Sequence, residues 1–333
     1  MVKQQGVSVI ICCYNSASRI TETLKHLCKQ KTGDSIPWEV IVINNASSDD
    51  TVSVAQSAWE KNLGSTNFKI VDQPIPGLSS ARNKGIEVSA YEILIFCDDD
   101  NHFDSDYVAI SFELMNKHQD VGIIGGWIKP RLLANPGDWI DDFYSALAIG
   151  KQAEDNGYVD WVFGAGMVFR KKIFRELKSR NIKLLLSDRI GKKQSSGGDA
   201  EMCQLTRFIG YKIYFSRQLV LHHQIEGNRL TKKSFIRSNL ENFHATIHLY
   251  ILENLIQGSD SSLATLVFSF IIKRTLRIVH AIPRLVFGKR LFLNFLEVYV
   301  NMVFIVWIFT HVPEIKKSFD DIKETLYDGQ KGR

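Results

Sequence analysis

Three aliphatic runs that each end on polar side chains constrain this chain most. Val7–Cys12 (VSVIIC) leads to Tyr14-Asn15-Ser16, Glu39–Ile43 (EVIVI) to Asn44-Asn45, and Glu92–Cys97 (EILIFC) directly into Asp98-Asp99-Asp100. Runs this apolar belong to strands buried on both faces, as in a parallel sheet covered by helices. Helical spacing fills the gaps. Ser18 is placed to cap a helix that turns Ile20, Leu24 and Leu27 inward. Asp49 and Asp50 start a second, with Val52, Ala55 and Trp59, and Ser79 or Ser80 starts a third that reaches about Ser89. Phe68–Val71 adds a short strand. The alternation predicts an α/β fold with helices on both faces of the sheet. Ligands of such sheets bind outside the carboxyl ends of the strands, where all three polar groups converge.

Further on, a helix follows Asp106 and Val121–Gly126 reads as a strand. Trp127–Tyr158 reads as irregular, Val159–Arg170 as a strand interrupted by small residues, and Ser187–Gly198 as a mobile loop. Asp199 opens a helix to about Ile209, and Lys212–Ser216 is a strand. The five cysteines form no CxxC pair, which argues against a zinc site and a disulfide framework and favours a reducing cytosol. The polar start Met1–Gly6 does not read as a signal peptide.

The last hundred residues change character. Thr231–Arg333 holds 14 Lys+Arg against 9 Asp+Glu, which accounts for the whole net charge of +5. Asn239–Gln257 reads as an amphipathic helix. Ser261–Leu296 carries six basic residues (Lys273, Arg274, Arg277, Arg284, Lys289, Arg290) and no acid. Lys273, Arg277, His280 and Arg284 share one stripe of an apolar helix interrupted by Pro283 and Gly288. Leu291–Thr310 has the length of a membrane span but contains Asn294, Glu297 and Asn301, which lipid disfavours. A basic, apolar tail on a neutral body points to an anionic membrane surface, met by in-plane or re-entrant helices, rather than to nucleic acid. A helical cap or a homodimer interface is the plainer alternative. The expected division is 1–230, an α/β body with halves 1–101 and 102–230, and 231–333, helical and membrane-associating.

Carboxylates packed as closely as Asp98-Asp99-Asp100 repel one another unless a cation is present, and hard oxygen ligands suit Mg²⁺ or Mn²⁺ bridging to phosphate. A solvated turn capping the next helix is the alternative. The pieces VSVIICCYN, VINNASSDDT, PGLSSARNKGI, FCDDDN and GGDAEMCQLTRFIGY, in this order, resemble a family 2 glycosyltransferase with the GT-A fold, of the bacterial surface-glycan type, and the resemblance spans about Val7 to His223.

The resemblance implies a Rossmann-like, mostly parallel sheet. It makes Asp98 and Asp100 the ends of a DxD motif. Asp100 would bind the metal, and Asp98 or Asp99 the ribose or the metal's water shell. Tyr14, Asn15 and Asn45 would line the base pocket, and Arg82 would hold the nucleotide. Asn44 and Asn45 stand where many relatives carry acids; an amide can both accept and donate, so Asn45 can still read a uracil or thymine edge. Asp199 matches the base of inverting transfer, although an N-cap role is its common alternative. Glu201 supports the acceptor or lies on the helix surface. His223, in the pair His222-His223, completes the metal's coordination or packs at the sheet edge. Trp161, like Trp127 and Trp139, would stack on a sugar or pack in the core.

The function so implied is metal-dependent transfer from a UDP- or dTDP-sugar to a lipid-linked glycan at the cytoplasmic face of the membrane. A non-catalytic sugar-nucleotide-binding subunit is the alternative. A pyrophosphorylase would need a Gly-rich loop that CCYNSAS lacks.

Overall fold

A computed structural model of the protein describes residues 5–33, 35–62, 64, 66–186, 197–287 and 290–331. The first half alternates without exception: β1 (Val7–Cys13), α1 (Ile20–Cys28), β2 (Trp38–Asn44), α2 (Thr51–Lys61), β3 (Asn67–Asp72), α3 (Leu78–Val88) and β4 (Ile93–Asp98). These strands lie side by side as β3-β2-β1-β4, all parallel, so their carboxyl ends share one edge. Period-two alternation splits their side chains between two cores. Val7, Val9 and Ile11 meet Leu24 of α1 and Ala55 of α2, whereas Ile10, Ile41 and Ile43 meet Ala81 of α3.

The second half adds β5 (Asn101–Phe103), α4 (Tyr107–Lys117), β6 (Val121–Leu132), a 3-10 helix at Asp138–Leu147, β7 (Gly157–Val159), β8 (Val168–Arg170), α5 (Lys171–Ser179), α6 (Gly198–Phe208) and β9 (Lys212–Ile225). The sheet continues β4-β8-β6-β9-β5, with β7 also on β9. Here β8 is antiparallel to both β4 and β6, and β5 and β7 are antiparallel to β9. The sheet is therefore mixed: the long pairings β3-β2-β1-β4 and β6-β9 are parallel, and the short pairings of β8, β5 and β7 are antiparallel.

Several local expectations are corrected. Val159–Arg170 is two short strands on different partners, because the Gly-rich stretch between them leaves the sheet. The strand expected to stop at Gly126 runs to Leu132, and β9 runs to Ile225, because each continues as the other's partner. Ser18 and Ser79 or Ser80 do not cap their helices; the cap positions fall on Arg19 and on Gly77, whose φ of 132° suits glycine. Most of the loop expected at Ser187–Gly198 lies outside the described residues.

Five helices complete the chain: α7 (Lys232–Glu241), α8 (Phe243–Ile256), α9 (Leu263–Phe287), α10 (Leu291–Thr310) and α11 (Val312–Lys331). The single helix expected at Asn239–Gln257 breaks at Asn242. Pro283 does not end α9, which runs on to Phe287. Apolar residues of all five helices, from Phe235 to Leu326, join the same buried cluster as Ile10, Phe96 and Phe169 of the sheet.

The register of β6 on β9 shifts between Gly126 and Trp127. There a side chain at Gly126 would place its Cβ 2.2 Å from the Leu219 carbonyl oxygen. Backbone cannot yield as a side-chain tip can, so Gly126→Ala should cost about 1–3 kcal/mol. The expected reading is a lower urea midpoint at unchanged slope.

Candidate active site

The site is built where β4 ends. Asp98 is its last residue, a tight turn carries Asp99 and Asp100, and β5 begins at Asn101. Each carboxylate has its own partner. Asn101 Nδ2 donates to Asp98 Oδ2 at 3.2 Å. Arg19 clasps Asp99 Oδ2 from Nε at 3.2 Å and Nη2 at 2.7 Å, and also lies 3.6 Å from Glu226. Asp100 has His223 Nε2 at 3.5 Å and Arg229 Nη1 at 3.8 Å. Burial and the neighbouring Asp100 charge raise the Asp99 carboxyl above its ordinary range, against the pull of Arg19.

Register explains why His223 is there. Asn101 pairs with His223 across β5 and β9, and Gln224 N–H donates to the Asp100 carbonyl at 2.9 Å. His222, on the opposite face of β9, reaches Asp104 instead, at 3.4 Å. The imidazole of His223 is buried, and its Nδ1 has no hydrogen-bond partner among the described residues.

Around this edge stand the other expected residues. Tyr14 projects into solvent past β1. Asn15 adopts φ 50° and is pinned by Ser47 Oγ on its N–H and by the Ser48 N–H on its Oδ1. The Arg82 guanidinium lies 5.3 Å from the Phe96 ring centre. Asn45 is buried, its Nδ2 donates to the carbonyls of Gln73 and Ile75, and its Oδ1 accepts from Gly77 N–H. Both Nδ2 hydrogens are thus spent on the chain that leads into α3, which leaves Oδ1 with one free lone pair. The carboxylate missing at Asn44 stands one strand away: Asn44 Nδ2 donates to Asp72 at 2.8 Å, its register partner on β3.

Asp199 sits in the first turn of α6, where the helix dipole favours an anion. Oδ2 accepts from Gly164 N–H and Oδ1 from Ala200 N–H, both at 2.9 Å. Gly164 allows this approach, since a Cβ there would lie 3.1 Å from Asp199 Cβ. Met167, three residues on, accepts from Phe96 N–H of β4 at 3.0 Å. The Gly164–Met167 segment thus ties Asp199 to the strand that carries Asp98. Trp161, 45% exposed, lies just upstream with its ring edge-on to Phe163. Trp139 instead packs against Phe143, Phe235 and Phe292.

Glu201 is neither an acceptor ligand nor a surface residue. It is 1% exposed, and its carboxylate accepts from the Leu185 and Leu186 N–H groups at 2.9 Å. His248 Nε2 of α8 lies 3.1 Å away, and His248 Nδ1 is 2.7 Å from Ser318 Oγ of α11.

The thiols of Cys12, Cys13 and Cys97 lie beneath the carboxylates. Burial pushes Cys12 up to about 12 and Cys13 and Cys97 well above their usual value, so none serves as a thiolate nucleophile.

Arg19, Arg229 and Gly164 are the residues that reading the sequence missed. The one signal for the arginines was general, since three adjacent carboxylates require nearby cations. Nothing local singles out Gly164.

The profile described as "Glycosyl transferase family 2" matches residues 8–178. The chain belongs to that family. The poly-beta-1,6-N-acetyl-D-glucosamine synthase of Staphylococcus epidermidis is 26% identical to it over 177 residues, 52% of this chain and 41% of that protein. The putative glycosyltransferase EpsH of Bacillus subtilis is 33% identical over 102 residues, 31% and 28% of the respective chains. This family 2 chain thus spans well under half the length of these curated relatives. Among solved structures, S. aureus TarS 1-349 superimposes with a TM-score of 0.53 at 16% identity, over 99% of this chain and 92% of that one. The same TarS region in complex with UDP-GlcNAc gives 0.53 at 18% identity, over 79% and 70%. At such identities the likeness establishes the fold, a GT-A-type mixed α/β sheet with a C-terminal helical region.

The Glu201 network yields a prediction that separates it from catalysis. Glu201→Ala would leave two buried N–H groups and His248 without their acceptor, and should destabilise the protein by about 3 kcal/mol or more. A urea midpoint that stays at the wild-type value would return Glu201 to the acceptor site.

Proposed function

We propose that this protein transfers a sugar, with inversion, from a uridine or thymidine diphosphate sugar to a hydroxyl of a lipid-linked glycan at the cytoplasmic face of the membrane. The observation that carries this reading is the tie through Gly164–Met167, which keeps Asp199 within one short segment of the β4 end that bears Asp98, Asp99 and Asp100. The relatives named as a polysaccharide synthase and a glycosyltransferase support a glycan product, and the TarS complex makes UDP-GlcNAc the first donor to test.

In this reading Tyr14 and Asn15 border the base, Asn45 shapes the wall beneath it and Arg82 meets the nucleotide. Asp98 or Asp99 contacts the ribose. Among the described residues, no three His, Cys, Asp or Glu side chains gather closely enough to form a metal cage of their own. Asp100 and His223 nevertheless offer a carboxylate oxygen beside a buried imidazole, a donor pair that fits Mn²⁺ or Mg²⁺ completed by diphosphate oxygens. When bound, such an ion would neutralise charge on the departing diphosphate. Arg229 and Arg19 keep the carboxylate turn ordered and supply positive charge beside it. Asp199 takes the acceptor's hydroxyl proton, oriented by the Gly164 and Ala200 N–H groups. Trp161 offers an exposed ring beside that base for an acceptor sugar face.

The direct test is to incubate the full chain with labelled UDP- and dTDP-sugars, Mn²⁺ and a membrane lipid extract, and to follow label entering the lipid fraction. Failure to bind or turn over any of these donors would overturn the reading.

Two variants refine it. Asp199→Asn can still accept from Gly164 N–H but cannot take a proton. Turnover should fall on the order of 10²–10⁴-fold with donor affinity retained; intact turnover with weakened donor binding would make Asp199 a donor ligand. Asp100→Ala should abolish transfer and remove the Mn²⁺ dependence of nucleotide binding, measured by calorimetry with and without chelator. Full wild-type activity in excess chelator would sink the metal assignment.

A further inference from the structure

Helix α10 has the length and composition of a membrane span. At 1.5 Å per residue its 20 residues reach about 30 Å, the thickness of a hydrocarbon core. Its packing rules out that role. Near its start, Phe292 lies 5.5 Å from Trp139 and 5.7 Å from Phe143 in the 3-10 helix Asp138–Leu147, whose Asp138 and Asp141 are exposed. Lys232 Nζ sits 4.6 Å from the same Phe292 ring. Toward its end, Phe304 stacks on Phe243 of α8 at 4.1 Å, and Ile308 is buried. The helix is therefore seated on the catalytic body along nearly its whole length. To cross a bilayer it would have to drag these charged elements into hydrocarbon.

Its polar residues are accounted for on the same side. Arg274 of α9 donates to Asn301 Oδ1 at 3.1 Å, Arg284 to Glu297 at 3.1 Å, and Asn294 Nδ2 to the Arg284 carbonyl at 2.9 Å. Arg274 also lies over the Phe270 and Phe304 rings, and burial lowers its guanidinium to about 10. Arg274 thus joins the two helices, Arg284 of the expected stripe pairs with Glu297, and Lys289 lies outside the described residues.

What remains outward is apolar. On α10 the exposed row is Leu291, Phe295, Tyr299, Met302, Val306 and Phe309, with Val306 at 64% and Phe309 at 68% exposure. On α9 it is Phe268, Ile272, Leu276, Val279 and Ile282. Exposed Lys273, Arg277 and His280 project from α9 about a third of a turn from that row. A second copy does not complement this surface: it would bring its own basic flank, and the acid these two helices carry, Glu297, is engaged by Arg284. An anionic lipid leaflet complements both parts, with acyl chains against the row and headgroup phosphates at the flank.

We infer that α9 and α10 form a hairpin lying in the plane of an anionic membrane leaflet, holding the catalytic body on that surface without crossing it. The inference is independent of which sugar is transferred.

The test is flotation of the full chain with phosphatidylcholine vesicles containing phosphatidylglycerol, and with phosphatidylcholine alone. Two variants accompany it: Phe295→Ser/Met302→Ser/Val306→Ser, and Lys273→Gln/Arg277→Gln. All five side chains are outward-facing, so urea midpoints should match wild type and confirm folding. Wild type should float with the anionic vesicles. The serine variant should stay at the bottom. The glutamine variant should lose roughly thirtyfold in partitioning, two charges at about 1 kcal/mol each. Cysteines placed at Arg290 and at Lys316, on either side of α10, should both react with an impermeant maleimide added outside the vesicles, above the signal of the native cysteines. Protection of one of the two would make α10 a span. Flotation equal in the serine variant and wild type would overturn the inference. So would a wild-type dimer that ignores vesicles and that the serine variant converts to monomer.

Discussion

Three carboxylates in a row at the end of a buried strand set the terms for everything near them. In the low dielectric of a sheet edge, like charges this close cannot stay ionised together without counter-charge. Arg19 comes from the turn after β1, His223 from the far end of β9, Arg229 from the short 3-10 helix Gly227–Arg229 that follows it, and Asn101 from the start of β5. The cluster is thus held by both halves of the sheet, and each neutralising group fixes a loop. Arg19 also reaches the Asn15 carbonyl at 3.3 Å, so the segment after β1 and the carboxylate turn share one cation.

The mixed topology serves the same edge. A purely parallel sheet would leave Asp199 on a crossover helix with no fixed relation to β4. Because β8 runs antiparallel beside β4, the chain returns to the carboxylate edge just before it starts, and Gly164 meets Asp199 there. One backbone N–H and the absence of one Cβ determine where that carboxylate points.

What was readable in the sequence follows from what is local. β1, β2 and β4 are apolar on both faces, so composition alone identifies them, and their polar ends mark the ligand edge. Asp199 and the carboxylate triplet stand out by residue type alone, and the Gly164–Met167 segment links them in the fold. The strand–turn geometry between Val159 and Arg170 was not readable, because short strands are decided by their partners. Glu201 was misread because its spacing suits an exposed helix position; its burial depends on Leu185, Leu186, His248 and Ser318, from three other segments. Asn45 is legible as a polar residue at a strand end, but its ties to Gln73, Ile75 and Gly77 are tertiary and leave no local signal. The span-like α10 shows the same limit: length and hydropathy describe a helix, and only its neighbours say which side of it meets protein.

The Glu201–His248–Ser318 line has a practical meaning for dissecting this protein. Glu201 lies two residues from Asp199 on the first turn of α6, so the helix bearing Asp199 is fastened to α8 and α11. A fragment ending at Leu230 would strand a buried carboxylate and uncover the apolar face now closed by Phe243, Ile251 and Ile322. Trimming the greasy C-terminal helices to obtain a tractable enzyme would remove the clamp on the helix that carries Asp199. Solubility is better sought by changing the outward row of α10 and leaving the helices in place.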